Sequence, residues 1–149
     1  METEEFVSEL FFLVGEGKVL ESSPKILDEL YEKYSNKSSA ELVPILKHFN
    51  EIISFILNLN LDFNEYKRLN WTTHIYGLFS FAWYCESRKI KPEQVENKLK
   101  QLYKEYFGKG TILEGAIKKY KDSASSRTNS ESQRKFRLYA MLEYCGVSF

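Results

Sequence analysis

Apolar residues along this 149-residue chain recur every three to four positions, segment after segment, with polar residues between them. That period gathers side chains on one side of an α-helix, whereas a half-buried strand requires alternation. Phe6, Leu10, Leu13 and Val14 predict a first helix over about Glu4–Val14, with Thr3 as N-cap and Gly15 and Gly17 as its stop. Ser22-Ser23-Pro24 reads as a cap with proline at the first helical position. It opens a second helix through Ile26, Leu27, Leu30, Tyr31 and Tyr34. Ser38 or Ser39 caps a third helix reaching about Leu59. Its inward stripe is Leu42, Leu46, Phe49, Ile53, Ile56 and Leu57, flanked by Val43 and Ile52. Pro44 is placed in the first turn, where a missing N–H costs nothing.

Residues 60–67 are polar and irregular and read as a connection. The fourth helix, about Trp71–Arg88, is apolar nearly all round, as the buried centre of a bundle is. Pro92 starts a fifth helix through Val95, Leu99, Leu102, Tyr103 and Tyr106, closed by Gly108 and Gly110. A short sixth covers Ile112, Leu113, Ala116, Ile117 and Tyr120. The low-complexity stretch Lys121–Asn129 reads as a mobile loop near 121–130, because its small polar residues bury little surface. Ser130 and Gln133 form a capping-box pattern ahead of a last helix that turns Leu138, Met141, Leu142 and Cys145 inward and stops at Gly146. The expectation is an all-α single domain over 1–149, a compact bundle of about six to seven helices.

Composition adds one unusual feature, 11 Phe, 10 Tyr and 2 Trp, which suits a thick helical core. Net charge is zero but divided: 7 Lys or Arg stand against 13 Asp or Glu in residues 1–85, and 14 against 8 in residues 86–149. Such asymmetry marks either solvated helix faces or a surface for an anionic partner or a second copy. The acidic start (Glu2, Glu4, Glu5) does not resemble a secretory leader, and no apolar stretch reaches the ~20 residues a membrane helix needs. A cytoplasmic protein is expected, with Cys85 and Cys145 as inert core thiols.

Candidate chemistry is sparse. His48, His74 and the two cysteines show no metal-ligand spacing, and the glycine pairs follow helices rather than strands. Neither a metal nor a nucleotide cofactor is expected. The strongest basic feature is Arg127 followed by Arg134, Lys135 and Arg137 at the start of the last helix. Arg134 and Arg137 are three apart and share a face, so both can reach one phosphate or carboxylate group, which makes DNA or RNA a candidate partner. Lys118, Lys119 and Lys121 lie just upstream and extend the basic patch. Tyr31, Tyr34 and Tyr103 are candidate anchors for a protein partner.

Two resemblances follow from particular residues. Arg68-Leu69-Asn70-Trp71-Thr72-Thr73-His74 resembles the Arg…His motif of HEPN domains, small helical proteins that often dimerise and cut RNA. That resemblance implies a metal-free RNase in which His74 moves a proton and Arg68 stabilises the charged transition state. Leu69 stands where that family usually has a polar residue, and side chains six apart on a straight helix diverge by about 240°. More of the chain, from Glu5–Leu13 through Leu27–Tyr34 to Ser126–Asn129 and Gln133–Leu138, resembles the helical C-terminal part of bacterial ParB-like NTPase and nuclease proteins. These include the nucleotide-dependent subunit of enzymes that restrict modified DNA. The Asp-Gly-Gln-Gln-Arg signature of their catalytic half is absent here. The resemblance implies a non-catalytic helical module of a DNA-restriction or phage-defence protein. Its partners would be nucleic acid or a ParB-like domain in the same or a neighbouring chain. A HEPN-like RNase acting as a dimer, and a protein-interaction domain, are the alternatives.

Overall fold

Serine caps and glycine stops set several helix limits in the computed structural model, which describes residues 3–110 and 112–149. Glu2, part of the acidic start, lies outside them. Helix α1 (Thr3–Glu16) runs two residues past the expected stop, with Gly17 taking the positive φ of 69° that ends it. Thr3 sits inside the helix rather than capping it. Ser23 caps α2 (Pro24–Ser35) by accepting the Ile26 N–H at 3.3 Å, with proline where expected. Ser38 caps α3 (Ser39–Leu57) in a full capping box with Glu41. Because α3 starts at Ser39, Pro44 is its sixth residue, beyond the first turn. The Ala40 carbonyl it leaves unpaired in the helix ladder lies on an exposed surface, where water can satisfy it.

A 3₁₀ turn, Lys67–Asn70, leads into α4 (Thr72–Ser87). Then follow α5 (Pro92–Phe107), α6 (Ala116–Ser123) and α7 (Glu131–Tyr144), and no strand occurs among the described residues. The fold is all-α, as the periodicity requires. Helix α4 is the axis: it packs on α1, α3 and α7, while α5 and α6 close around α7. Ten of its sixteen residues are buried. Helix α2 sits to one side, where Leu27, Leu30 and Tyr34 pack with Phe12 of α1. Gly15 is required there, since any Cβ would run into the Tyr34 hydroxyl.

Several apolar residues lie elsewhere than the pattern implied. Trp71 is an exposed N-cap, Ile112 precedes α6 and is exposed, and Leu46 and Leu57 of α3 face outward. The stretch expected to be mobile is tied down. Lys121–Ser123 belong to α6, and the Ser123, Thr128 and Asn129 carbonyls accept from Arg137 (2.9 and 3.0 Å) and the Ser22 N–H (3.0 Å).

Two buried arginines join the ends of the chain. Arg134 of α7 is 2% exposed and pairs with Glu9 of α1 at 3.0 Å. It also donates to the Leu20 carbonyl at 2.8 Å and lies 3.6 Å from the centre of the Tyr76 ring. Burying both charges is costly, and Coulomb attraction with added hydrogen bonds offsets that cost only while both partners stay. Arg134→Met is expected to lower stability by ~3–5 kcal/mol by stranding the Glu9 carboxylate, whereas Glu9→Leu with Arg134→Met should recover most of it. Urea unfolding of the wild type and the two variants measures this; equal losses in the single and double variants would contradict it.

Candidate functional site

The basic cluster expected to face an anion is not assembled at the surface. Arg134 and Arg137 do share a face of α7, but it is the inward one, continuous with Leu138 and Met141. Arg137 is wholly buried and has no carboxylate partner among the described residues. Its guanidinium donates to the backbone carbonyls of Thr73 (3.2 Å), Ser123 (2.9 Å) and Thr128 (3.0 Å), joining α4, α6 and the loop before α7. Gly77 of α4 makes room, since a Cβ there would stand 2.9 Å from the arginine Cδ. Lys135 is half-buried and paired with Glu131 at 3.0 Å. Arg127 alone of the four is exposed, at a positive φ of 47°, beside a cleft of about 440 Å³ that also includes Glu21. Of the upstream lysines, Lys119 is neutralised by Glu143 at 3.1 Å, leaving Lys118 and Lys121 exposed.

Arg68 and His74 share an aromatic neighbour. The 3₁₀ turn places Arg68 ahead of α4, so the divergence of a straight helix no longer applies. Phe107 of α5 links them: the Arg68 Cζ and the His74 ring centre each lie 5.3 Å from its ring centre. His74, however, is 4% exposed and packed in a box of aromatic rings, with Tyr106 edge-on at 5.2 Å and Tyr120 stacked at 5.8 Å. Its Nδ1 shares a 2.7 Å hydrogen bond with the Tyr120 hydroxyl. Burial, reinforced by the positive charges of Arg137 and Arg68, pulls the imidazole pKa down to about 4. The ring is therefore neutral near pH 7, which bars it from acting as a general acid there, and a base of such low pKa is a weak one. Leu69, wholly buried, anchors the turn as a core residue.

The remaining candidates divide similarly. Tyr34 and Tyr103 are buried, so of the three proposed anchors only Tyr31 is exposed. Cys85 is buried and Cys145 half-buried, and desolvation pushes both thiols up to about 12, so little thiolate forms at neutral pH. Among the described residues no cluster of three or more His, Cys, Asp or Glu side chains is placed to hold a metal ion, and no helix is long and apolar enough to cross a membrane.

The periodicity did not reveal the outward face of α3. Val43 is 60%, Leu46 48% and Leu57 71% exposed, although the pattern placed Leu46 and Leu57 in the inward stripe. Val43, Leu46, Lys47, Asn50, Glu51 and Ser54 line a shallow groove of about 590 Å³ along that face. The available signal was width: apolar residues covered more of α3 than one neighbour could bury.

The aromatic box makes stability depend on acidity. With a folded pKa near 4 and an unfolded value near 6.5, His74 takes up its proton first in the unfolded chain. Its contribution is complete above the unfolded value and is lost as pH falls from about 6.5 towards about 4, up to ~3 kcal/mol. Thermal unfolding across that range should fall more steeply for the wild type than for His74→Phe; parallel curves would contradict the assignment.

No family model matches the chain, and no curated protein and no solved structure matches it.

Proposed function

We propose that this chain is a non-catalytic helical module of a bacterial DNA-restriction or phage-defence protein, acting by docking to a partner subunit through the outer face of α3. The observation that carries the reading is the exposure of Val43, Leu46 and Leu57 along one side of a regular helix whose opposite side is packed on α1 and α4. Exposed apolar side chains on a rigid helix suit helix-in-groove recognition, with anchors three to four residues apart. The bacterial restriction setting rests on the resemblance to ParB-like proteins, which supplies a ParB-like domain as the partner. Of the C-terminal basic patch, the buried positions of Arg134 and Arg137 leave Arg127, Lys118 and Lys121 exposed and without a salt bridge among the described residues.

The HEPN-like alternative has the proximity of Arg68 and His74 in its favour. Against it stand the buried imidazole, its engagement with Tyr120 and its depressed pKa. Docking is therefore the better-supported reading.

Leu46→Asp with Leu57→Asp should leave the helical circular dichroism and unfolding midpoint near wild type, since both side chains are exposed. The same variant should bind a ParB-like domain encoded in the same or a neighbouring reading frame at least ~10-fold more weakly in titration calorimetry. Undiminished binding would remove α3 from the function.

A further inference from the structure

Around the buried Arg137, three stretches of chain distant in sequence come together. Its guanidinium holds the carbonyls of Thr73 (3.2 Å), Ser123 (2.9 Å) and Thr128 (3.0 Å), so the start of α4, the end of α6 and the loop before α7 meet at one side chain. The residues beside those anchor points are thereby gathered at one end of the bundle. Trp71 lies two residues before Thr73, Lys121 two before Ser123 and Arg127 one before Thr128, and all three are exposed. Lys118 stands one turn back from Lys121 on the same face of α6. Lys67 and Arg68 occupy the turn that leads into α4, with the Arg68 Cζ 5.3 Å from the centre of the Phe107 ring.

Charge at this end is one-sided. Residues 67–72 and 118–128 carry six lysines or arginines and one carboxylate, Asp122. Lys119 is taken by Glu143 at 3.1 Å, and the other five cations form no ion pair among the described residues. Asp122, Glu65 ahead of the turn and Glu21 in the cleft beside Arg127 oppose them, so a positive excess remains. Trp71 is the residue here that folding leaves unexplained. It holds the N-cap position of α4, where serine, threonine, asparagine or aspartate would accept a first-turn N–H, and its side chain makes no such bond. It is 60% exposed and pairs with no aromatic ring and no cation among the described residues. Trp83, by contrast, is half-buried and lies edge-on to Tyr84.

We infer that this end of the bundle binds single-stranded nucleic acid, with the Trp71 indole stacked on an unpaired base and the lysines and arginines around it on the phosphates. A flat exposed ring among several unpaired cations fits a single strand, since every base has a face to stack and every link carries a charge. A duplex satisfies the cations alone, because its bases are already stacked on one another. The strand is held without being cut, so nothing is required of the neutral His74. With five cations and one stacked base, affinity is expected in the micromolar range at low salt. The site is separate from the outer face of α3 and stands or falls independently of docking there.

Titration of the whole chain with oligothymidylate and oligouridylate of ~12 nucleotides at about 50 mM salt tests this, read by anisotropy of a labelled strand and by tryptophan fluorescence. One or both strands should bind and quench the indole emission. Trp71→Ala should weaken binding ~5–100-fold with the helical circular dichroism unchanged, and Trp71→Phe should retain most of it. Lys118→Glu with Lys121→Glu should weaken binding ~10-fold and reduce the log–log salt slope by about one. Lys25→Glu with Lys98→Glu, an equal change of charge elsewhere on the surface, should cost under ~2-fold. No binding of either oligonucleotide below about 100 μM overturns the inference, as does a Trp71→Ala protein that binds like the wild type. Equal losses from the near and the distant charge reversals overturn it too. So does a duplex of the same length bound as tightly as the strand, because stacking on an unpaired base would then contribute nothing. Sedimentation with phosphatidylserine vesicles in place of oligonucleotide binding would assign the surface to lipid instead.

Discussion

Two guanidinium groups inside the bundle determine how its ends meet. Arg134 and Arg137 occupy adjacent turns of the inward side of α7, where leucine or methionine would ordinarily stand. Each carries a charge that cannot stay buried unsolvated, so the surrounding chain must supply acceptors. Glu9 and the Leu20 carbonyl do so for Arg134, and the carbonyls of Thr73, Ser123 and Thr128 for Arg137. Helix α1, the α1–α2 link, α4, α6 and the loop before α7 are thereby held in one arrangement. The satisfaction is incomplete, since both Nε groups and Glu9 Oε2 are buried without partners among the described residues. Greasy packing alone would tolerate several helix orientations; these directional contacts restrict them.

The same clamp sets the electrostatics of the aromatic box. Arg137 lies close enough to His74 to disfavour its protonated form, and Arg68 adds to the effect from over the Phe107 ring. A histidine next to two positive charges and stacked between aromatic rings behaves as a neutral core residue. Its proximity to Arg68 is a consequence of the 3₁₀ turn and of the wholly buried Leu69, which draws that turn onto the bundle. Proximity of an arginine and a histidine is thus explained by packing, with no reacting group required.

With the two arginines of α7 turned inward, the outer side of α3 becomes the surface least explained by folding. Its inner residues, Ile52 and Phe55, are buried against the rest of the bundle, while Val43, Leu46 and Leu57 contribute nothing to the core. Exposed leucines on a helix otherwise well capped and continuous serve association better than stability.

The sequence by itself determined the helices. Three-to-four-residue spacing, the serines at 23, 38 and 130 and the glycines at 17, 108 and 146 are local signals, and local hydrogen bonding decides helix limits. Tertiary structure alone decided which side of a two-sided helix faces inward and which charges are paired. Arg134-Lys135-Phe136-Arg137 reads as a basic surface because nothing nearby in sequence neutralises it; the partner Glu9 is 125 residues away. Leu46 and Leu57 read as core because α3 is apolar on more than one side, and only the positions of α1 and α4 determine which side is covered. Local spacing encodes where a helix can bury surface, whereas burial itself depends on what the rest of the chain brings to that surface.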